Sequence, residues 1–159
     1  MLIPPPEYDA WMGLALDEAR AALATGDVPV GAVVVGPSAE VLGRGRNARE
    51  ARQDPTAHAE IEALRAAAAA RGEWQLTDAV LVVTLEPCAM CAGAILSARV
   101  PTVAFGAWDE KAGAAGSVYD LLRDRRLPQR ATVYAGIREP ECAALLTEFF
   151  DERRAPRTE

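Results

Sequence analysis

The segment Ala79-Val-Leu-Val-Val-Thr-Leu85 decides the fold, because an apolar run of this length is typical of a strand that is buried on both faces. The run ends directly in Glu86-Pro-Cys-Ala-Met-Cys91, where a helix is predicted to begin. A strand covered on both faces needs helices on each side of its sheet. The segment therefore predicts an α/β domain with its sheet in the middle.

Helices and strands alternate outward from this strand. Apolar residues at three- and four-residue steps predict an amphipathic helix from Tyr8 that Gly26 ends, and a second helix from an N-cap at Asp54 to Arg71. The remaining predicted elements are a hairpin (31–35 and 41–47), a helix (about 87–98), strands (102–105 and 131–134), a short helical piece (118–122) and a last helix through Phe150. This order predicts a three-layer α/β/α sandwich in one domain, 1–159, with a charged tail at 151–159 that is expected to fray.

Composition excludes several classes of protein. The chain has 159 residues, of which 50% are hydrophobic and 25% charged, as is ordinary for a globular domain and unlike a disordered chain. Three cysteines are too few for a disulfide scaffold, and their odd number favours a reducing cytoplasm. No apolar run is long enough to cross a membrane, and the first eight residues do not resemble a signal peptide.

The charge is distributed unevenly along the chain. A net charge of −6 argues against binding nucleic acid through bulk charge. Acidic residues dominate the first helix, whereas two short stretches, 44–52 and 123–130, are rich in arginine. Such runs are commonly solvated loop charges, but arginine also has the planar fork that suits phosphate.

Residues that can bind a metal ion or transfer a proton are concentrated at the starts of two predicted helices. His58 and Glu60 stand at one, and Cys88 and Cys91 at the other. Side chains in a first helical turn can reach the space in front of the helix, so one nitrogen and two sulfurs can meet around a metal ion. His58 is the only histidine and Cys142 lies on the apolar face of the last helix, so no fourth soft ligand is evident. Three protein ligands indicate an open, catalytic zinc site, with Glu60 placed to move protons.

Each of these residues also has a plainer interpretation. Cys88 and Cys91 could be a redox pair, but such a pair has no need of His58 and Glu60 at another helix start. Cys142, Trp11 and Trp74 are expected to be core residues. Taken together, His-x-Glu and Pro-Cys-x-x-Cys form the signature of zinc-dependent nucleobase deaminases.

The sequence resembles the bacterial tRNA-specific adenosine deaminases of the cytidine deaminase-like superfamily. The zinc motifs alone would identify only the superfamily, whereas the glycine-alanine loop and the last helix are similar to the tRNA branch. The segments that carry the resemblance are Asp27-Val-Pro-Val-Gly-Ala-Val, Asp54-Pro-Thr-Ala-His-Ala-Glu-Ile, Val83-Thr-Leu-Glu-Pro-Cys-Ala-Met-Cys-Ala-Gly-Ala, Gly113-Ala-Ala-Gly-Ser and Glu141-Cys-Ala-Ala-Leu-Leu-Thr-Glu-Phe-Phe.

The resemblance implies a mixed five-stranded sheet and a cytoplasmic homodimer that converts adenosine to inosine at the wobble position of an arginine tRNA. One zinc ion per subunit, held by His58, Cys88 and Cys91, would activate water for attack on C6. Glu60 would shuttle the proton while ammonia leaves. Residues expected at the target base are Asn47, Val30, Ala59 and, through their backbone, Leu85 and Glu86. Residues expected to contact RNA are Arg46, Arg49, Asp109, Lys111, Phe149, Arg153 and Arg154.

Two alternatives stay open at this stage. A deaminase of free bases or nucleosides, of the guanine or cytosine type, would use the same fold and the same zinc ligands. A non-catalytic zinc-binding partner subunit would have no use for a proton shuttle, so the presence of Glu60 speaks against it.

Overall fold

The computed structural model describes residues 2–156, and within them five strands form one mixed sheet. The strands are β1 (Gly31–Val35), β2 (Val41–Arg46), β3 (Val80–Leu85), β4 (Thr102–Ala107) and β5 (Thr132–Tyr134). Their order in the sheet is β2-β1-β3-β4-β5. β1 runs antiparallel to both β2 and β3, whereas β3, β4 and β5 are parallel.

Helices cover both faces of this sheet. They are α1 (Glu7–Ala22), α2 (Arg49–Arg52), α3 (Ala59–Arg71), α4 (Ala89–Ser97) and α5 (Glu139–Arg154), with 3-10 turns at Leu23–Thr25 and Leu121–Arg123. α1 and α5 pack on one face, and α3 and α4 on the other. The predicted α/β/α sandwich with a mixed five-stranded sheet is confirmed.

β3 is the centre of the core. Leu81 and Val83 pack toward α3 and α4, whereas Val82 packs toward α1 and α5, as the two-residue period of a strand requires. All three side chains are fully buried. The apolar run is therefore a strand covered on both faces, as the sequence predicts.

Several helix boundaries differ from prediction, and the short helical piece predicted at 118–122 is a 3-10 turn at Leu121–Arg123. The predicted N-cap at Asp54 is wrong, because its Oδ1 accepts hydrogen bonds from the backbone N–H and hydroxyl of Thr56, both at 2.8 Å, and closes a separate turn. α3 begins only after His58 and ends at Gly72, whose φ of 74° is left-handed. The tail expected from 151 starts later, since α5 continues through Arg154; residues 157–159 lie outside the described part.

The cysteine and tryptophan predictions have different outcomes. Cys142 is buried against β4, as expected of a core residue. Trp11 is half-buried and stacks on Tyr8, with ring centroids 5.2 Å apart. The core assignment of Trp74 is wrong, because this side chain is 57% exposed and its contact is with the guanidinium of Arg99, 5.7 Å from the ring centroid. No helix in the described part of the chain is long and apolar enough to cross a bilayer.

The close packing of α3 on β2 depends on a glycine. A Cβ at Gly45 would lie 2.2 Å from the carbonyl oxygen of Ala59 and 2.4 Å from the nitrogen of Ala63. Both of these are backbone atoms of α3, so they cannot move without displacing the helix. Gly93 in α4 is the opposite case, because no other atom comes within 4 Å of its Cβ position.

We therefore expect Gly45→Ala and Gly93→Ala to change stability in opposite directions. Gly45→Ala should lower the free energy of unfolding by about 1–3 kcal/mol through overpacking. Gly93→Ala should raise it by about 0.5–1 kcal/mol, because alanine loses less backbone entropy in a helix. Urea denaturation of both variants measures the difference, and an unchanged midpoint for Gly45→Ala would contradict the packing described here.

Candidate metal centre and substrate pocket

Two helix starts form the centre of the site. His58 and Cys88 are the residues immediately before α3 and α4, and both have extended backbones. A residue in this position lies outside the helical turns, at the end of the helix where the first backbone N–H groups are free. Because α3 and α4 pack side by side on one face of the sheet, these side chains come together.

The three predicted ligand atoms are mutually close. His58 Nδ1 lies 3.6 Å from Cys88 Sγ and 3.4 Å from Cys91 Sγ, and all three ligand atoms lie within 4.8 Å of one another. Two tetrahedral zinc ligands at about 2.0 Å for nitrogen and about 2.3 Å for sulfur would lie about 3.5 Å apart. The group can therefore hold a metal ion, and its spacing and donor types fit zinc.

The two thiols titrate unequally because they share a hydrogen bond. The hydrogen bond from Cys91 lowers the pKa of Cys88 to about 3. The same hydrogen bond, together with burial, raises the pKa of Cys91. Hydrogen bonding to Cys88 also raises the pKa of His58. A thiolate at Cys88 is the form of cysteine that binds a metal.

Glu60 is the buried carboxyl group of the site. It lies in the first turn of α3, and only 4% of the residue is exposed. Burial raises its pKa to about 7, because the charged form loses its hydration. A carboxyl group with a pKa near neutrality can both accept and donate a proton at physiological pH.

A cavity of about 230 Å³ opens in front of these groups. Its lining includes all five residues expected at the target base, namely Val30, Asn47, Ala59, Leu85 and Glu86. It also includes His58, Glu60 and Cys88, as well as Val28 and Ala112, which the sequence did not single out. Apolar side chains thus form one part of the wall, and the polar part consists of Asn47, Arg49, His58 and the carboxyl groups.

Asn47 is held rigidly at the side of the cavity. Its Nδ2 donates to the carbonyl of Val28 at 3.1 Å, and its Oδ1 accepts from the backbone N–H of Arg49 at 3.3 Å. An asparagine amide has two N–H groups and two oxygen lone pairs, so one donor and one acceptor remain for a ligand. The buried Asp27 supports this region by accepting hydrogen bonds from the backbone of Glu50 and Ala51 in α2.

Glu86 also lines the cavity, and its carboxylate has a role that the sequence did not predict, since only the backbone of Glu86 was assigned to the pocket. Backbone N–H groups of Asp109, Ala115 and Ser117 donate to this carboxylate at 2.9–3.0 Å. The Ser117 hydroxyl lies 2.9 Å from the carboxylate and 2.7 Å from the Asp109 carbonyl. Because the hydroxyl has a single proton, it donates to only one of these two acceptors at a time. Glu86 is thereby buried and orders the loop formed by residues 109–117.

This loop also contacts the metal-ligand segment. Ala114 N–H donates to the carbonyl of Pro87 at 2.7 Å, and Cys88 forms a β-bridge with Gly113. A Cβ at Gly113 would lie 2.3 Å from the Glu86 carboxylate, so only glycine fits there. The signal in the sequence was the glycine-alanine loop itself, but the acid that it surrounds could not be inferred from spacing.

The predicted RNA-contacting residues are dispersed. Arg49 and Asp109 line the cavity, Arg46 lines a cleft beside it, and Lys111 lines a groove against α5. Arg154 is exposed at the end of α5.

Two other residues of that set are engaged within the chain. Phe149 is buried beneath the Arg153 guanidinium, 4.3 Å from its ring centroid, and Arg153 also donates to the carbonyl of Gly26. Phe149 therefore offers little surface to a ligand. The exposed aromatic residue of α5 is its neighbour Phe150, at 42%.

The fold and the site together define a deaminase. The fold is an α/β/α sandwich, and the site combines a His/Cys/Cys group with an adjacent buried glutamate. The family model of the MafB19-like deaminases matches residues 7–154. The tRNA-specific adenosine deaminase of Bacillus subtilis is 44% identical over 146 residues, which cover 92% of this chain and 90% of that protein. The chain belongs to the MafB19-like deaminase family and, within it, groups with the tRNA-specific adenosine deaminases.

Two further similarities set the scope of this assignment. A solved structure from biochemical and structural studies of A-to-I editing by tRNA:A34 deaminases is 42% identical, with a TM-score of 0.82, covering 86% of this chain and 99% of that chain. The tRNA(Ile)-lysidine synthase of Deinococcus radiodurans is 49% identical over 152 residues. That match covers 96% of this chain, which spans only 26% of the length of the synthase.

The role of Glu86 in ordering the loop can be tested with Glu86→Gln. The amide replaces one acceptor oxygen with a donor that faces other donors, so we expect the free energy of unfolding to fall by about 2–4 kcal/mol. Ser117→Ala is the matched control, since it removes one hydroxyl and should cost about 1 kcal/mol.

Chemical denaturation gives both values, and hydrogen exchange should show faster exchange across residues 109–117 in Glu86→Gln only. Equal exchange in this loop for wild type and Glu86→Gln would contradict the role assigned to the carboxylate.

Proposed function

We propose that this protein deaminates adenosine to inosine at the wobble position of a tRNA anticodon, in an arginine tRNA. The observation that carries the proposal is the buried Glu60 beside the His58, Cys88 and Cys91 group, at the end of a cavity that Asn47 lines. Similarity to tRNA-specific adenosine deaminases over nearly the whole chain supports tRNA as the source of the adenosine.

We propose zinc as the metal, one ion per chain, with His58, Cys88 and Cys91 as its ligands. The separations of the three ligand atoms and the low pKa of Cys88 support this choice. Zinc supplies a water whose pKa lies near 7, which makes a nucleophile available at neutral pH. Cys142 takes no part, because it lies on the opposite face of the sheet.

The chain's own residues bind the base and move its protons. Glu60, with a pKa of about 7, accepts one proton from the attacking water and delivers it to the purine ring. It then passes the second proton of that water from the hydroxyl on C6 to the amino group, which leaves as ammonia. Asn47 offers its remaining donor and acceptor to the purine edge, and its two existing hydrogen bonds fix its orientation. Val30, Ala59 and Leu85 exclude water from the base, while Glu86 holds the loop that closes the wall.

Residues near the mouth of the cavity are proposed to contact the RNA strand. Arg49 and Asp109 stand at the cavity itself, and Arg46 and Lys111 flank it. Arg154 adds an exposed positive charge on α5. A tRNA substrate and three free cysteines support a cytoplasmic location for this single deaminase domain.

The first test is mass analysis of an anticodon stem-loop after incubation with zinc-loaded protein. We expect one amine to be replaced by oxygen when adenosine occupies the wobble position, and no change when guanosine occupies it. If the protein deaminates free guanine or cytidine but not the stem-loop, the proposal is wrong and the protein is a small-molecule deaminase. Absence of all deamination would favour a non-catalytic zinc-binding subunit.

Three variants separate metal binding from catalysis in the same assay. Glu60→Ala should keep its zinc but lose at least about 10²-fold in rate, because proton transfer is removed. Cys91→Ser should lose both zinc and activity, whereas Cys142→Ser should keep both. Elemental analysis of the purified proteins measures the zinc. Activity of Glu60→Ala near that of the wild type would refute the role proposed for Glu60.

We further propose a homodimer whose contact includes an apolar groove of about 380 Å³ between α3 and α4. Ile61, Leu64, Ala68 and Ala94 line this groove, and the exposed Trp74 stands beside them. The exposed Met90 extends the apolar surface along α4. A second copy is the occupant that the family resemblance implies, and a symmetric contact would cover this surface on both copies.

Sedimentation velocity tests this face of the proposed dimer. Ala94→Arg places a charge in the groove and should convert a dimer into a monomer, whereas Ala69→Arg, on the exposed side of α3, should leave the dimer intact. A monomeric wild-type protein, or dimers for both variants, would overturn this assignment.

A further inference from the structure

A polar cleft of about 420 Å³ lies along the edge of the sheet, beside the substrate cavity. Three arginines line it, Arg44 and Arg46 from β2 and Arg52 from α2. Asn47 lines both this cleft and the cavity that contains His58 and Glu60, so the two spaces adjoin. Arg44 and Arg52 take no part in the proposed deamination reaction.

Arg44 and Arg46 share one face of β2 because of the strand period. Gly43 and Gly45 face α3, because backbone atoms of that helix lie against their Cβ positions. Arg44 and Arg46 alternate with these glycines along the strand, so they face the other side. Arg46 pairs with Gly31 and Arg44 with Val33, and both of these β1 residues lie under α1. The two guanidinium groups therefore extend from the same side of the sheet beside α1.

The backbone of β2 also offers donors at this edge. β2 is the outermost strand of the sheet among the residues described. Asn47 N–H donates to the carbonyl of Val30, which faces it across the strand pair. In an antiparallel ladder this orientation recurs every second residue, so the N–H groups of Arg44 and Arg46 point away from β1, toward the open edge.

The positive charge at this edge is only partly neutralised within the described chain. Arg52 pairs with Glu62 at 3.0 Å, and Arg65 lies 3.6 Å from the other carboxylate oxygen of Glu62. Arg44 and Arg46 form no ion pair with residues 2–156, and Glu18 is the remaining acid of the cleft. Two unpaired arginines thus face one carboxylate in a protein whose net charge is −6.

We propose that this cleft binds a backbone phosphate of the RNA strand next to the target nucleoside, with Arg44 and Arg46 as its side-chain donors. The proposal rests on the proposed function, because it takes the ligand to be the same RNA strand. Guanidinium forks and free strand N–H groups are suitable donors for a phosphodiester. The adjoining position of the cleft means that a base could occupy the cavity while its own backbone lies across Asn47 and β2.

The test compares Arg44→Gln with Arg20→Gln, which removes an equal charge from an exposed position on α1. Arg20 pairs with Asp17 and does not line the cleft. Binding of a fluorescent anticodon stem-loop to the full-length, zinc-loaded protein is measured by anisotropy at several salt concentrations. Arg44→Gln should weaken binding roughly five- to tenfold and reduce the slope of log K against log salt by about 0.7, the value for one lost phosphate contact. Arg20→Gln should stay within about twofold of the wild type.

A second measurement identifies the phosphate. Each phosphodiester of the loop is replaced in turn by a neutral methylphosphonate, and every RNA is bound to wild type and to Arg44→Gln. At one position near the target nucleoside, neutralisation should abolish the penalty of Arg44→Gln, because the two changes remove the same contact. If the penalty persists at every position, or if Arg20→Gln weakens binding as much as Arg44→Gln, the proposal is overturned.

Failure of this proposal and failure of the proposed function give different results. Stem-loop deamination that is intact in the wild type, together with equal binding by Arg44→Gln and Arg20→Gln, rejects the cleft alone. Coupling between Arg44 and one phosphate in a protein that does not deaminate the stem-loop rejects the wobble activity and retains the cleft as an RNA-binding site.

Discussion

The buried carboxylate of Glu86 is the interaction on which the site depends. Three backbone N–H groups donate to it, and its position directly after β3 ties the loop 109–117 to the end of the central strand. The same loop then hydrogen-bonds to Pro87 and bridges to Cys88. A charge buried without such donors would destabilise the fold, so loop order and ligand position are coupled.

Small residues determine how close the layers come. Gly45 allows α3 to lie against β2, and Gly31 allows α1 to lie against β1 on the opposite face. This close approach sets the distance between α3 and the sheet, and hence how near His58 and Glu60, at the start of α3, lie to the strands. Packing between helix and sheet thus sets the positions of the functional side chains at the ends of the helices.

The distribution of surface charge matters more for this protein than its net charge. The net charge is −6, yet the edge strand β2 carries two arginines without ion-pair partners among the described residues, next to the cavity. An acidic protein of this kind gains little from long-range attraction to RNA and must rely on short-range contacts at defined positions. Asn47, which lies between the cavity and the cleft, belongs to both.

The sequence by itself determined the alternation of helices and strands, the double burial of β3 and the donor types at His58, Cys88 and Cys91. These follow from local periodicity and from residue chemistry, which a single chain displays directly. It did not determine the start of α3, because the turn closed by Asp54 competes with helix capping at the same residue. Nor did it place Trp74 on the surface or the carboxylate of Glu86 inside its loop. Those facts depend on contacts between residues far apart in the chain, such as Glu86 with Ala115 and Ser117, and only the tertiary structure brings such residues together.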